Sequence, residues 1–242
     1  MLNQPNQSNN QQSLQPQSLR LNKFLAERLG ISRREADDLI ASEKVLVDGK
    51  VAVLGARITE SSIVSCDGKE IPFANTYMYL AMNKPVGYVC SRKQQGDAPT
   101  IYSLLPEKYQ KLKTVGRLDK NSSGLILFTN DGDFAYQMTH PKFVKQKVYN
   151  VELSRDLEPL HQQMIADFGI KLPDGVSKLG LTRLEETSRK KFRVEMSEGR
   201  NRQIRRTFEA LGYEVKKLHR ISFGKYCLES LKPGEWVELV TK

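Results

Sequence analysis

One carboxylate stands out by its neighbours. Asp119 lies within Val115-Gly116-Arg117-Leu118-Asp119-Lys120-Asn121-Ser122-Ser123-Gly124, a short polar stretch rich in small residues. Basic side chains flank it at Arg117 and Lys120, and the apolar run Leu125-Ile126-Leu127-Phe128 follows. An ionised carboxylate can act as a nucleophile, and a nearby guanidinium favours the ionised form. An Asp in such a loop can equally cap a turn, so its role depends on the rest of the chain. Several common site types are missing. There is no Walker phosphate loop and no GxGxxG. His140, His161 and His219 lack the paired spacing of zinc ligands. Cys66, Cys90 and Cys227 show neither disulfide nor metal-ligand spacing and read as reduced thiols. No Ser or Cys sits in a GxSxG elbow. An Asp-centred site without an evident metal remains.

The charge says what such a site faces. The 242 residues carry a formal charge of +10. Residues 18–76 hold nine Lys/Arg and nine Asp/Glu, whereas 77–242 hold 29 and 19 and so carry the whole excess. A basic excess favours a polyanion through counterion release, nucleic acid before membrane. No run approaches the roughly 18 apolar residues of a membrane span. Met1 to Pro5 lacks a basic region followed by an apolar core, so no secretory signal is expected and the cytoplasm is the expected compartment.

The elements that must position the site follow from pattern. Residues 1–17 contain six Gln, four Asn and no charge, a composition expected to stay disordered. Leu21, Phe24, Leu25 and Leu29 give helical spacing, and Gly30 stands at the C-terminal cap. Ser32-Arg33-Arg34-Glu35 predicts a capping box for a second helix through Ala36, Leu39 and Ile40. Two turn dipeptides, Asp48-Gly49 and Asp67-Gly68, predict hairpins, the first between Val45–Val47 and Lys50–Val53. Residues 72–76 read as a linker. Strands are expected at 77–83, 125–129, 145–153, 182–185, 191–196, 214–218 and 236–240, extended backbone at 88–91, a helix at 133–138 and a helical segment after Pro159 to about 168. A mobile loop is expected at 92–99. In the last informative segment, Ile204, Phe208 and Leu211 recur at helical spacing, and Gly212 closes the helix. Arg202, Arg205, Arg206 and Glu209 share its other side, by themselves an ordinary wet basic face. Lys216-Lys217-Leu218-His219-Arg220 adds positive charge downstream.

Two resemblances tie these elements together. Arg20-Leu21-Asn22-Lys23-Phe24-Leu25, Ser32-Arg33-Arg34-Glu35-Ala36 and Val45-Leu46-Val47-Asp48-Gly49-Lys50 resemble the S-four RNA-binding module. That resemblance implies phosphate contacts from Arg20, Lys23, Arg33 and Arg34. Gly116 to Leu125, Lys147-Val148-Tyr149 and Glu198 to Arg206 occur in the order seen in RNA pseudouridine synthases. Lys84-Pro85-Val86-Gly87-Tyr88-Val89 and Lys217 to Arg220 match as well. Over residues 18–242 the chain resembles the RsuA-like branch of bacterial ribosomal RNA pseudouridine synthases, which carry an N-terminal S-four module.

The resemblance implies an α/β (α+β) fold: a mixed, largely antiparallel sheet in a catalytic domain at 77–242, behind a small RNA-binding domain at 18–71. It implies isomerisation of uridine to pseudouridine in ribosomal RNA, without metal, cofactor or redox step. Asp119 matches the catalytic carboxylate. Arg205 matches the Arg that pairs with it, and a planar fork can hold a carboxylate by two bonds. Tyr149 matches the residue that stacks on the base and serves in proton transfer. Ile204 matches an apolar wall of the base pocket. Arg117, Lys84, Arg202 and Arg206 become candidate phosphate contacts that offset the cost of flipping the base. Arg200 to Arg206 looks closer to enzymes of the large-subunit RNA, and a monomer is expected. The rival readings are a non-catalytic RNA-binding ribosome-assembly factor and a hydrolase built on Asp119, which would need a second carboxylate.

Overall fold

The computed structural model describes residues 18–74, 76–94 and 96–240. The tail at 1–17 lies outside the described residues, as does Asn75 in the expected linker. The chain divides into two compact units, Met1–Thr76 and Tyr77–Lys242.

In the first unit, helices Leu21–Arg28 and Arg33–Ala41 bury Leu21, Phe24, Leu25, Ala36 and Ile40 against Val45, Ile58 and Val64. The capping box forms on both sides. Ser32 Oγ accepts from Glu35 N at 3.1 Å, and Glu35 Oε2 accepts from Ser32 N at 2.6 Å. The strands run in the order Lys50–Val51, Val45–Val47, Val64–Cys66, Lys69–Glu70, all antiparallel. Both Asp-Gly pairs adopt positive φ at each residue, which is the turn that matches the twist of a hairpin. A short pairing of Leu19–Arg20 with Arg57–Ile58 is added to what the pattern predicts.

The second unit is built on one sheet in the order Gly180–Arg183, Lys191–Met196, Lys147–Leu153, Val215–Phe223, Ser123–Thr129, Tyr79–Lys84, Trp236–Glu238. Along that order every pair is antiparallel except Ser123–Thr129 with Val215–Phe223. The sheet is mixed and largely antiparallel. Leu125 to Phe128 are fully buried because that strand is covered on both faces, which is why its sequence is a continuous apolar run rather than an alternating one. Gly124 is needed at the parallel pair: a Cβ there would lie 2.2 Å from the Arg220 carbonyl oxygen. The register between Lys147–Leu153 and Val215–Phe223 shifts at Val148/Tyr149, an irregularity of the kind that re-aims side chains beside functional sites.

Some expectations are corrected. The helix at 159–168 is α-helical only over Pro159–Gln163 and continues as a π-helix over Met164–Phe168. The extended backbone expected at 88–91 carries one bridge, from Val89 to Thr100. The strand expected at 214–218 runs on to Phe223, because Arg220 and Phe223 are buried rather than solvated. In the loop at 92–99, Arg92 donates to Leu112 O at 3.1 Å and so is tied down. The hairpin Ile170–Leu172 with Gly175–Ser177 adds to the expected elements, and Pro173-Asp174-Gly175 is its turn signal.

Candidate active site

The Asp119 loop is held from beneath by cations bonded to its backbone. Lys84 ends the Tyr79–Lys84 strand and is 0% exposed. Its Nζ donates to Ser122 O at 2.7 Å and Pro85 O at 3.0 Å. Arg205, 7% exposed on the helix Gln203–Glu209, donates from Nη2 to Asn121 O at 2.8 Å and from Nη1 to Val215 O at 2.6 Å. Arg220 Nε donates to Leu125 O at 2.7 Å. Gly87 N donates to Lys120 O at 2.8 Å, and Ser122 N closes the loop by donating to Asp119 O at 3.0 Å. The carbonyls at 119, 120, 121, 122 and 125 all have donors. Bonds from charged donors contribute about 1.5–3 kcal/mol each, so the loop is rigid where its carboxylate stands.

Asp119 itself is half-buried. Burial lowers the pKa of the Lys84 ammonium, while Cys90 and Asp119 push it back up. Burial and Arg202 lower that of Arg205, and Asp119 opposes them. Each cation therefore senses the carboxylate, and the three charges sit in one poorly hydrated region. Two expectations change here. Lys84 cannot be an RNA phosphate contact, because it is fully buried under the loop. Arg205 does not clasp Asp119 by two bonds; its fork spans the carbonyls of Asn121 and Val215. A basic residue on an apparently wet helix face is buried because two other segments bring carbonyls to it.

Above the loop lies a cleft of about 680 Å³. Asp119, Arg117, Tyr149, Ile204, Arg202 and Arg220 all line it. Tyr149 and Ile204 are buried in its wall, and Arg117 and Arg202 are exposed. Arg202 caps its helix in the left-handed region and lies 3.5 Å from Glu209, an exposed pair that leaves its charge available. Arg206 is not among the lining residues. It grips Asp174 at 3.1 and 2.7 Å, so its expected phosphate contact is replaced by an ion pair within the protein. Asp174, in the hairpin the sequence reading missed, also takes Arg200 Nη1 at 3.2 Å and so fixes the Glu198–Arg202 lip.

Lys147 and Arg220 were not among the predicted site residues. Lys147 Nζ donates to Glu198 O at 3.0 Å and Lys145 O at 3.2 Å, and burial and Arg220 lower its pKa. Both cations lie over the Phe223 ring, at 5.3 and 4.9 Å. Arg220 Nη2 is buried without a hydrogen-bond partner. The signal for both was present, in Lys147-Val148-Tyr149 and Lys217 to Arg220. In the first unit Arg20, Arg33 and Arg34 are exposed, and Arg33 donates to Asn22 Oδ1 at 3.2 Å; Lys23 is half-buried. No group of three metal-ligating side chains occurs among the described residues.

A carboxylate fixed beside buried cations, under an aromatic and apolar wall with a basic rim, suits an anionic polymer whose base enters the cleft. Comparison with known proteins agrees. Residues 78–210 match the RNA pseudouridylate synthase family, and residues 19–64 match the S4 domain. The chain is 36% identical to the ribosomal small subunit pseudouridine synthase A of Pasteurella multocida, over 91% of this chain and 96% of that protein. It is 36% identical to the ribosomal large subunit pseudouridine synthase B of Buchnera aphidicola, over 91% and 93%. A solved pseudouridylate synthase structure superposes with a TM-score of 0.66 at 33% identity, over 92% of this chain and 96% of that one.

Proposed function

We propose that this chain, which belongs to the RNA pseudouridylate synthase family and so isomerises uridine to pseudouridine in RNA, acts on ribosomal RNA with Asp119 as its catalytic carboxylate. The observation that carries the assignment is convergence. Asp119, Tyr149 and Ile204 come from three separate segments and line one basic cleft.

The reaction breaks the N1–C1′ bond of uridine, turns the base and joins C5 to C1′. A proton leaves C5 and one joins N1, so atoms and electrons balance without oxidant or reductant. Asp119 acts at the ribose–base junction. Tyr149 lies against the base, and its hydroxyl serves in proton transfer. Ile204 excludes water from the base pocket. Lys84 and Arg205 hold the loop rather than touching the substrate. Arg117 and Arg202 take phosphates on the rim.

Residues 77–242 form the catalytic domain, and residues 18–71 bind RNA through Arg20, Lys23, Arg33 and Arg34. The chain works as a monomer in the cytoplasm, with its substrate. The likeness of Arg200 to Arg206 to large-subunit enzymes favours large-subunit RNA, with small-subunit RNA as the competitor in the same assay. The test is a pseudouridine map of both ribosomal RNAs from cells with and without this protein. Loss of modification at a discrete uridine is expected, restored by the wild-type gene and not by one encoding Asp119→Asn. Identical maps would overturn the ribosomal assignment.

A further inference from the structure

The hairpin Ile170–Leu172 with Gly175–Ser177 carries an apolar surface that the core does not cover. Phe168 ends the π-helix Met164–Phe168 and is 75% exposed, and Val176 is 56% exposed. Both lie outside the residues that line the cleft. One exposed apolar side chain is ordinary, but these two adjoin. A Cβ built on Gly169 would lie 2.5 Å from Val176 Cγ1, so the valine leans over the glycine that follows Phe168. The backbone beneath is held. Gly169 N donates to Met164 O at 2.8 Å and closes the π-turn, and Leu179 N donates to Ile165 O at 3.4 Å. Short π-helices recur at functional sites. Charge frames the patch. Lys171 pairs across the hairpin with Val176 and shares its exposed face, while the next pair, Ile170 with Ser177, is buried. The pair beyond, Gly169 with Lys178, returns to the exposed face by the same alternation. Lys171 and Lys178 are both exposed. Asp174 is taken up by Arg206 at 2.7 Å and Arg200 at 3.2 Å, so the two lysines outweigh Asp167.

We propose that this hairpin is a second RNA contact, on which an unpaired base in the sequence flanking the target uridine stacks against Phe168 and Val176 while Lys171 and Lys178 take its phosphates. The inference rests on the pseudouridine synthase reading of the neighbouring site. An aromatic face set between cations suits an unpaired base, because every base has a π-face and its backbone is anionic. The surface is continuous with the cleft. Arg200, which lines the cleft, donates from Nη2 to Val176 O at 2.7 Å and from Nη1 to Asp174 O at 2.9 Å. RNA that leaves the cleft past Arg200 meets the hairpin next. A second copy of this chain could cover the apolar pair but would leave the two lysines without a role.

The probe is a ribosomal RNA fragment that carries the mapped uridine, with tritium at C5, and its flanking sequence. The dissociation constant and the single-turnover rate at saturating protein are measured together. Phe168→Ala is expected to bind about fivefold or more weakly, the lower end of what one stacked base contributes. Its saturating rate is expected within twofold of wild type and its thermal midpoint unchanged, since the ring is exposed. Phe168→Trp is expected to restore affinity. Abasic nucleotides placed one at a time beside the uridine locate the base: at one position wild type loses affinity and Phe168→Ala loses no more. Lys171→Gln with Lys178→Gln is expected to lower the slope of log K against log salt by about 1 to 2, which Phe168→Ala leaves unchanged. A loss of less than fivefold in Phe168→Ala overturns the platform. So does sedimentation that finds wild type dimeric and Phe168→Ala monomeric, which would make the patch a contact between copies. Wild-type protein that binds the fragment but releases no tritium would instead sink the pseudouridine synthase reading and leave the binding comparison standing.

Discussion

The two units use their positive charge in opposite ways. In residues 18–74 four of the five arginines stay at the surface, and Arg28 is half-buried and donates to Phe73 O. Arg20, Arg33 and Arg34 are exposed, and a local capping box and two Asp-Gly hairpins shape the unit. In the catalytic unit Lys84, Arg205 and Arg220 are buried and bonded to backbone carbonyls far away in sequence. The first unit can lose one of these exposed cations and keep its fold. The second cannot, because each buried cation closes a set of carbonyls that have no water to turn to. A net positive charge is thus two things: a surface field for RNA, and an internal scaffold for one carboxylate.

Substitutions can break that contrast. The largest effect is expected from Lys84→Met, which strands the carbonyls of Ser122 and Pro85. Urea unfolding is expected to show a loss of about 3 kcal/mol, and the catalytic rate to fall about a hundredfold as the Asp119 loop shifts. Retained stability and rate would mean that the buried ammonium is not a scaffold. Next comes Ser32→Ala in the first unit, where loss of the cap costs about 1 kcal/mol in the unfolding of that unit. Smallest in stability is the double change Arg33→Ala with Arg34→Ala, expected to stay within about 0.5 kcal/mol of wild type. Its effect belongs to binding: RNA affinity falls, and the slope of log K against log salt drops by about 2. An unchanged salt slope would remove these residues from the RNA interface.

Titration sharpens the same contrast. Lys84 holds its proton less tightly when folded than at its ordinary value of 10.5, mainly through burial. Between those two values the unfolded chain binds more protons, so this group makes stability rise with pH. Activity moves the other way, because the charge beside Asp119 is lost as pH rises through the lowered value. A fall in rate on the alkaline side below pH 10.5, missing in Lys84→Met, is the expected profile. A limb that persists in the variant would assign it to another group.

Legibility in the sequence divides along the same line. Ser32/Glu35, Asp48-Gly49 and Asp67-Gly68 act within a few residues, so spacing alone specified them. Leu125 to Phe128 announced a strand covered on both faces. Arg205 could not be placed by periodicity, because what buries it is Asn121 and Val215, which no local pattern connects. Lys84 failed for the same reason. Asp174 was missed although Pro173-Asp174-Gly175 announced its turn. The pairing with Arg200 and Arg206 that makes it matter is a tertiary fact. The resemblance named the segments that meet; the carbonyl bonds show how they are held.

Asp119 is proposed to do the chemistry, and the cations around it to hold its loop. The direct measurement is tritium release from ribosomal RNA labelled at uridine C5, under single turnover, by wild type and Asp119→Asn, with RNA affinity measured in parallel. Wild type is expected to release tritium without free uracil. Asp119→Asn is expected to fall by about 10⁴-fold or more, while its RNA affinity stays within about threefold of wild type. Release by Asp119→Asn at a rate near that of wild type would contradict the claim.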